Sequence, residues 1–241
     1  MFRYVILVAI TSLIVGCSFN ASNYEAEQAK QPVNGLKNYN VVQDASINMG
    51  GRDLNFVTFE KTVEVHVIQN GKIITDTQSQ YGSGVQWNED YVVTTKAVNF
   101  VNGSSQPCIK DCEIQFIKRK ATAPVPDWRS HVANERITFV GIESEARFRA
   151  EFGMDLNVKT YTETNTSTLL NVADNQIVNN MSGGPAYGLD GKVVGILTGS
   201  TETANLRNST NRNLSARGER LSVYLSYEDV QKEWVKFQQS H

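Results

Sequence analysis

The chain has 241 residues, 40% hydrophobic and 20% charged, which are ordinary values for a globular protein. A formal net charge of -2 removes the electrostatic case for a nucleic-acid partner. Beyond an export segment and tether, about 190 residues remain, enough for one domain or a pair of fused small barrels.

Arg3 precedes an apolar run from Tyr4 to Val15 that meets Gly16-Cys17. About twelve apolar residues are too few to span a bilayer and match a signal-peptide core. Leu13-Ile14-Val15-Gly16-Cys17 resembles a bacterial lipobox, which implies a signal peptide over 1–16 and acylation of Cys17. An ordinary cleaved signal with an incidental cysteine is the alternative. Ser18 rather than Asp follows the cysteine, and for a Gram-negative lipoprotein that resemblance implies the outer membrane. Residues 17–51 are rich in Asn, Gln, Ala and Ser and read as a lipidated cysteine with a flexible tether. Its reach is roughly 30 Å for about 33 residues.

The folded part is expected over 52–241 and reads mostly as strand from Phe56 onward. Val63, Val65 and Val67 alternate with Glu64, His66 and Ile68, and Asn70-Gly71 signals a tight hairpin into Lys72–Thr75. Tyr81–Val85 and Tyr91–Thr94 follow as strands around the Asn88-Glu89-Asp90 turn, and Ile114–Ile117 closes this group. Ala121 to Trp128, with Pro124 and Pro126, reads as a connector. Ile137–Gly141 opens a second group, and Glu143 to Phe152 fits either a helix or a twisted hairpin. Asn157–Glu163 and Leu169–Val172 are strands, Pro185–Leu189 and Lys192–Leu197 a hairpin about Asp190-Gly191, and Leu221–Leu225 the last strand. Ser226 and Asp229 form a capping-box pattern ahead of a helix with Tyr227, Val230, Trp234 and Phe237 on one face.

Of the three cysteines, Cys108 and Cys112 remain once Cys17 is assigned to lipid. In an exported protein they can close a small disulfide loop, with free thiols or a metal pair as alternatives. His66, His131 and His241 are scattered without ligand spacing, so neither a metal site nor a cofactor is expected. His66 and His131 read as surface or packing residues.

The chemistry-bearing stretch is Asn180-Met181-Ser182-Gly183-Gly184-Pro185, with an apolar hairpin directly after it. It resembles the nucleophile loop of trypsin-like serine peptidases, closest in style to bacterial periplasmic high-temperature-requirement-type peptidases. Ala186 to Leu197 resembles the hairpin after that nucleophile, and the helix after Tyr224 resembles the family's closing helix. The resemblance spans roughly Phe56 to Phe237 and implies an all-β fold: a double six-stranded β-barrel with a C-terminal α-helix. Barrel 1 would occupy about 56–120, barrel 2 about 135–225 and the helix 227–238.

By that resemblance Ser182 is the nucleophile, and the amides of Asn180 and Ser182 form the oxyanion hole. Asp111, opening the strand to Ile117, is the carboxylate that orients a base. The histidine is missing. Val92-Val93-Thr94-Thr95-Lys96-Ala97 puts Ala97 at its position, and Lys96 beside it is the remaining candidate base. Asn180 stands where the family usually has glycine, and Met181 where it often has Asp or Asn. Gln176 falls at the expected pocket floor, and Arg207, Arg212, Arg217 and Arg220 border the pocket in a long polar stretch. The expectation is a membrane-anchored pseudopeptidase that binds a peptide or protein in its former cleft. An active serine endopeptidase with a non-standard base is the alternative, and a structural envelope lipoprotein a third reading.

Overall fold

The computed structural model describes residues 38–69, 72–98, 105–107, 113–161, 168–202 and 220–240, with the backbone alone for 38–40, 63–69, 73 and 105–107. Among the described residues, twelve strands form two antiparallel systems, and one helix follows them. The first is a six-stranded sheet: β1 (Asn38–Met49), β2 (Arg52–Gln69), β3 (Lys72–Asn88), β4 (Tyr91–Thr95), β5 (Ser105–Pro107) and β6 (Ile114–Lys118). Its spatial order is β1-β2-β3-β4-β6-β5. The second is a closed barrel of β7 (Arg136–Ser144), β8 (Arg147–Thr160), β9 (Leu170–Ala173), β10 (Pro185–Gly188), β11 (Val193–Glu202) and β12 (Arg220–Ser226). Its order is β10-β11-β12-β9-β8-β7, and the pairing of β10 with β7 closes it.

The folded part begins earlier than the sequence suggests. Residues 38–49, assigned above to the tether, are β1, paired with β2 along its whole length from Asn38↔Val63 to Met49↔Arg52. Alternate residues Ala45, Ile47 and Met49 pack on the main core, and that burial outweighs the polar residues between them. Asp44 on the same strand binds Arg119 at 2.8 Å and also Thr122, fastening the strand to the end of sheet 1.

Glu143 to Phe152 is a hairpin rather than a helix. β7 runs into β8 through Glu145-Ala146, with Ala146 at φ 49°. Around the Asn88–Asp90 turn, the Asn88 side-chain oxygen accepts from the amides of Asp90 (2.9 Å) and Tyr91 (3.0 Å). Asn70-Gly71 lies outside the described residues, but the ladder it joins runs from Val57↔Gly84 to Gln69↔Lys72.

One core joins the two systems: Val85, Val93 and Phe116 from the sheet meet Val140, Tyr187 and Leu225 from the barrel. A second fills the barrel, with Phe139, Met181, Leu197 and Tyr224 buried together. The helix α1 (Tyr227–Ser240) closes the chain across this junction. Ser226 donates to Asp229 at 3.0 Å at its start, and Glu228 and Asp229 in the first turn suit the helix dipole. Trp234 packs edge-on to Phe116 (4.9 Å) and Tyr91 (5.0 Å), and Phe237 is buried behind it.

The connector crosses to the barrel at Trp128, whose neighbour Arg129 donates its amide to Val193 at 2.9 Å. The Arg129 guanidinium forks between Glu135 and Asp190, each at 2.7 Å. Its hydrogen bond holds the Asp190 carboxyl below the usual carboxylate range. A depressed folded value means stability that is present above the unfolded value of about 3.9 and lost as pH falls through the folded one. Asp190→Asn is therefore expected to flatten the acid side of the stability profile below about pH 4. The effect is modest because Asp190 is 43% exposed and screened by water. Urea unfolding of both proteins across the acid range checks it, and coincident profiles would refute it.

Candidate functional site: the Ser182 loop

A short 3₁₀ turn, Asn179–Met181, delivers the chain to Ser182. It forms there because Met181 is fully buried in the barrel core and anchors the turn from below. Ser182 leaves the turn at φ -55°, ψ 133° and is half-buried. Gly183 takes φ +91°, where its amide donates to Leu197 O at 2.7 Å. Gly184 then donates to Met181 O and accepts from the Leu197 amide, both at 2.9 Å. A side chain at either glycine would overlap backbone oxygen, of Ser83 at Gly183 and of Val140 at Gly184. The Gly-Gly pair is thus required by close approach of backbone from both halves of the molecule.

Ser83 is the joint between those halves. Its amide donates to Ser182 O at 3.2 Å and its carbonyl accepts from Thr94 Oγ1 at 2.5 Å. Its hydroxyl donates to Asn180 O at 3.1 Å and accepts from the Ile142 amide at 2.9 Å. One buried serine thereby links β3, β4, β7 and the Ser182 loop. Sequence reasoning passed over it, although a serine between Gly82 and Gly84 in an apolar strand is a readable sign of close packing. Both glycines are needed, since a Cβ would meet Val98 at 2.6 Å in the first case and the Phe59 ring at 2.7 Å in the second.

Of the two amides that would form an oxyanion hole, that of Ser182 is engaged within its own loop. The Ser182 amide donates to Asn179 O at 3.4 Å, closing the 3₁₀ turn on itself. Asn180 is buried, and its side-chain amide donates to Glu143 O at 2.6 Å. Its carbonyl is held by Ser83, so both ends of the residue are fixed. Asn180 does not use the positive φ that asparagine tolerates; the described non-glycine residues that do are Asn134, Ala146 and Asn157.

Thr94, whose hydroxyl lies against Gly183, sits next to the end of β4. The Lys96-Ala97 turn follows directly, closed by Val98 N to Thr95 O at 3.1 Å, with the Lys96 amide on Glu113 O at 3.0 Å. Gly183 and the strand end that leads into this turn are therefore in contact beside Ser83. Ala97 is half-buried there, and the Lys96 side chain is exposed. His131 is elsewhere: its ring faces Glu228 at 3.4 Å and packs edge-on to Tyr224, as a packing residue would. The backbone of His66 is eight positions from Thr58, the partner of Ser83 (66 - 58 = 8), roughly 26 Å along the strand. Gln176 is exposed, and Arg220 donates to Ser200 Oγ at 2.7 Å. Cys17, Cys108, Asp111, Cys112, Arg207, Arg212, Arg217 and His241 lie outside the described residues.

No protein-family model matches the chain, and no curated protein is similar to it in sequence. Solved structures do match. An inactive serine-to-alanine mutant of Rv3671c from M. tuberculosis H37Rv superposes with a TM-score of 0.51 at 11% identity, covering 67% of this chain and 83% of that one. The apo MamO protease domain from Magnetospirillum magneticum gives 0.47 at 15% identity, over 63% and 86%. A HtrA-type protease, AlgW, with tripeptide gives 0.48 at 12% identity, over 71% and 57%. Together with the paired strand systems and closing helix, the first likeness defines the class: this chain has the trypsin-like serine-peptidase fold.

Proposed function

We propose that the protein is a membrane-anchored lipoprotein whose trypsin-like domain is a catalytically impaired peptidase that binds a peptide or protein in its cleft. The observation that carries this reading is the closed Ser182 turn, in which the serine's own amide is bonded within the loop and Asn180 is fixed at both ends. A tetrahedral oxyanion needs those amides aimed outward. The sequence adds Ala97 where the family carries its general base, and loss of that base from such a triad costs on the order of 10⁶ in turnover. Lys96 is a poor substitute. Its side chain is exposed, whereas a lysine that serves as a catalytic base is held in a desolvated pocket. The lipobox-like Leu13–Cys17 and the following Ser18 support a lipid anchor in a bacterial outer membrane, facing the periplasm.

A fluorophosphonate probe tests the reading. The purified protein is expected to label no faster than Ser182→Ala. Labelling that depends on Ser182, with peptide turnover to match, would establish instead an active serine endopeptidase with a non-standard base.

A further inference from the structure

Large apolar side chains stay exposed at the end of the barrel where β7 begins: Val132 (60%), Phe152 (63%), Met154 (38%) and Leu189 (69%). Hydrogen bonds and strand pairing hold them in one patch. The Val132 amide donates to Glu135 Oε1 at 2.6 Å, and Glu135 shares the Arg129 guanidinium with Asp190, the neighbour of Leu189. Arg52 reaches the same turn, donating to Leu189 O at 2.5 Å. On β7, Arg136 faces Met154 and Thr138 faces Phe152 across the strand pair. Thr138 also pairs with Tyr187 of β10, which is buried in the core that joins the two halves. Cross-strand partners share a face, so Tyr187, Thr138 and Phe152 form one row from that core to the surface. The patch is the open margin of the joining core.

Its size and charge select the occupant. Four such side chains expose on the order of 400 Å² of apolar surface, a patch that marks an interaction site on a folded domain. A standard interface takes about 800 Å² from each partner, a little over half of it apolar. The surrounding charge is mixed. Arg129 sits between Glu135 and Asp190, Lys192 lies 3.7 Å from Asp127, and Arg52 and Arg136 stand against Asp53 and Asp174. A strongly charged partner or an anionic bilayer attracts one sign only. A ring of both signs suits a copy of itself, because a two-fold axis can set each positive group against a negative one. We propose that this end of the barrel is a self-association surface, through which two copies pair about a two-fold axis by Val132, Phe152, Met154 and Leu189.

The pairing leaves the Ser182 loop outside the contact. β7 runs from Arg136 in the patch toward Gly141, where a Cβ would meet the Ser83 hydroxyl and Met181 under that loop. The five positions between them (141 - 136 = 5) span roughly 17 Å. Self-association does not depend on the binding reading above. Joined to it, a pair offers two clefts, and a ligand with two binding segments gains avidity from them.

The test uses the full chain produced in bacterial cells, with a photo-reactive benzoylphenylalanine in place of Ala133, which is exposed beside Val132. Irradiation is expected to give a two-chain adduct, and mass spectrometry of it should return peptides of this chain alone. Phe152→Asp and Leu189→Asp, each added to the labelled protein, should cut the adduct at least ~10-fold while the thermal melt stays that of the parent. Leu189 lies in a turn, so its variant carries the test where Phe152→Asp does not fold. The same photo-reactive residue in place of Val235, exposed on α1, should give no two-chain adduct. The proposal is overturned by no adduct from position 133, by an adduct with another protein or with lipid instead, or by equal yields from 133 and 235. An adduct that survives both aspartate variants in folded protein overturns it as well.

Discussion

Gly183→Ala is expected to destabilise the domain by about 4 kcal/mol or more, in the range reserved for overlap and strain at special backbone positions. Two faults combine. Gly183 holds φ +91°, which an L side chain rarely adopts, and its Cβ would overlap the Ser83 carbonyl oxygen and the Thr94 hydroxyl. Those atoms have no room to yield, because the Ser83 carbonyl already accepts from Thr94 and its amide donates to Ser182. For a domain of this size each kcal/mol moves the melting temperature by roughly 2–4 °C, so a fall of about 10 °C is the expected reading. Gly199→Ala is the internal control: a Cβ there meets nothing within 4 Å, and the change should stay within about 0.5 kcal/mol. Thermal unfolding followed by circular dichroism measures all three proteins. A Gly183→Ala melt within two or three degrees of the parent (about 1 kcal/mol) would mean that the Ser182 loop does not rest on Ser83 and Thr94 as described.

The Gly-Gly requirement was legible as a motif before its cause was visible. Ser182-Gly183-Gly184-Pro185 announces a tight loop, but which atoms exclude a side chain depends on contacts with residues far back in the chain, Ser83 for Gly183 and Val140 for Gly184. Ser83 is the clearest case, because its four hydrogen bonds go to partners in three other segments. The helix was readable because its determinants are local: Ser226, Asp229 and the spacing of Val230, Trp234 and Phe237 lie within a few turns. β1 was not, because a strand with Asn at 38, 40 and 48 is held by pairing with β2 and by one buried face, and its polar residues matched a tether equally well. β3 runs unbroken for 17 residues, whereas the sequence suggested two strands. The polar run Asp76 to Gln80 reads as a loop unless its partners on β2 are known. Hairpin β7–β8 stayed undecided against a helix for a related reason, since its turn uses Glu145-Ala146 with no glycine or asparagine to mark it.

The closed Ser182 turn gives the histidine question a quantitative form. Ala97→His alone is expected to restore only part of the fluorophosphonate labelling, because a base does not open the turn that holds the Ser182 amide on Asn179 O. Asn180 maintains that turn through its side-chain bond to Glu143 O and its carbonyl bond to Ser83. Glycine at 180 removes the first restraint and allows the positive φ that could turn its amide outward. One oxyanion donor contributes about 10² to 10³ in rate. Ala97→His with Asn180→Gly should therefore label at least ~100-fold faster than Ala97→His alone, and adding Ser182→Ala should erase the gain. Full labelling by Ala97→His alone would show that the turn is no obstacle and that the missing imidazole accounts for the whole defect. A double variant that stays silent while folding normally would place the family's histidine somewhere other than Ala97.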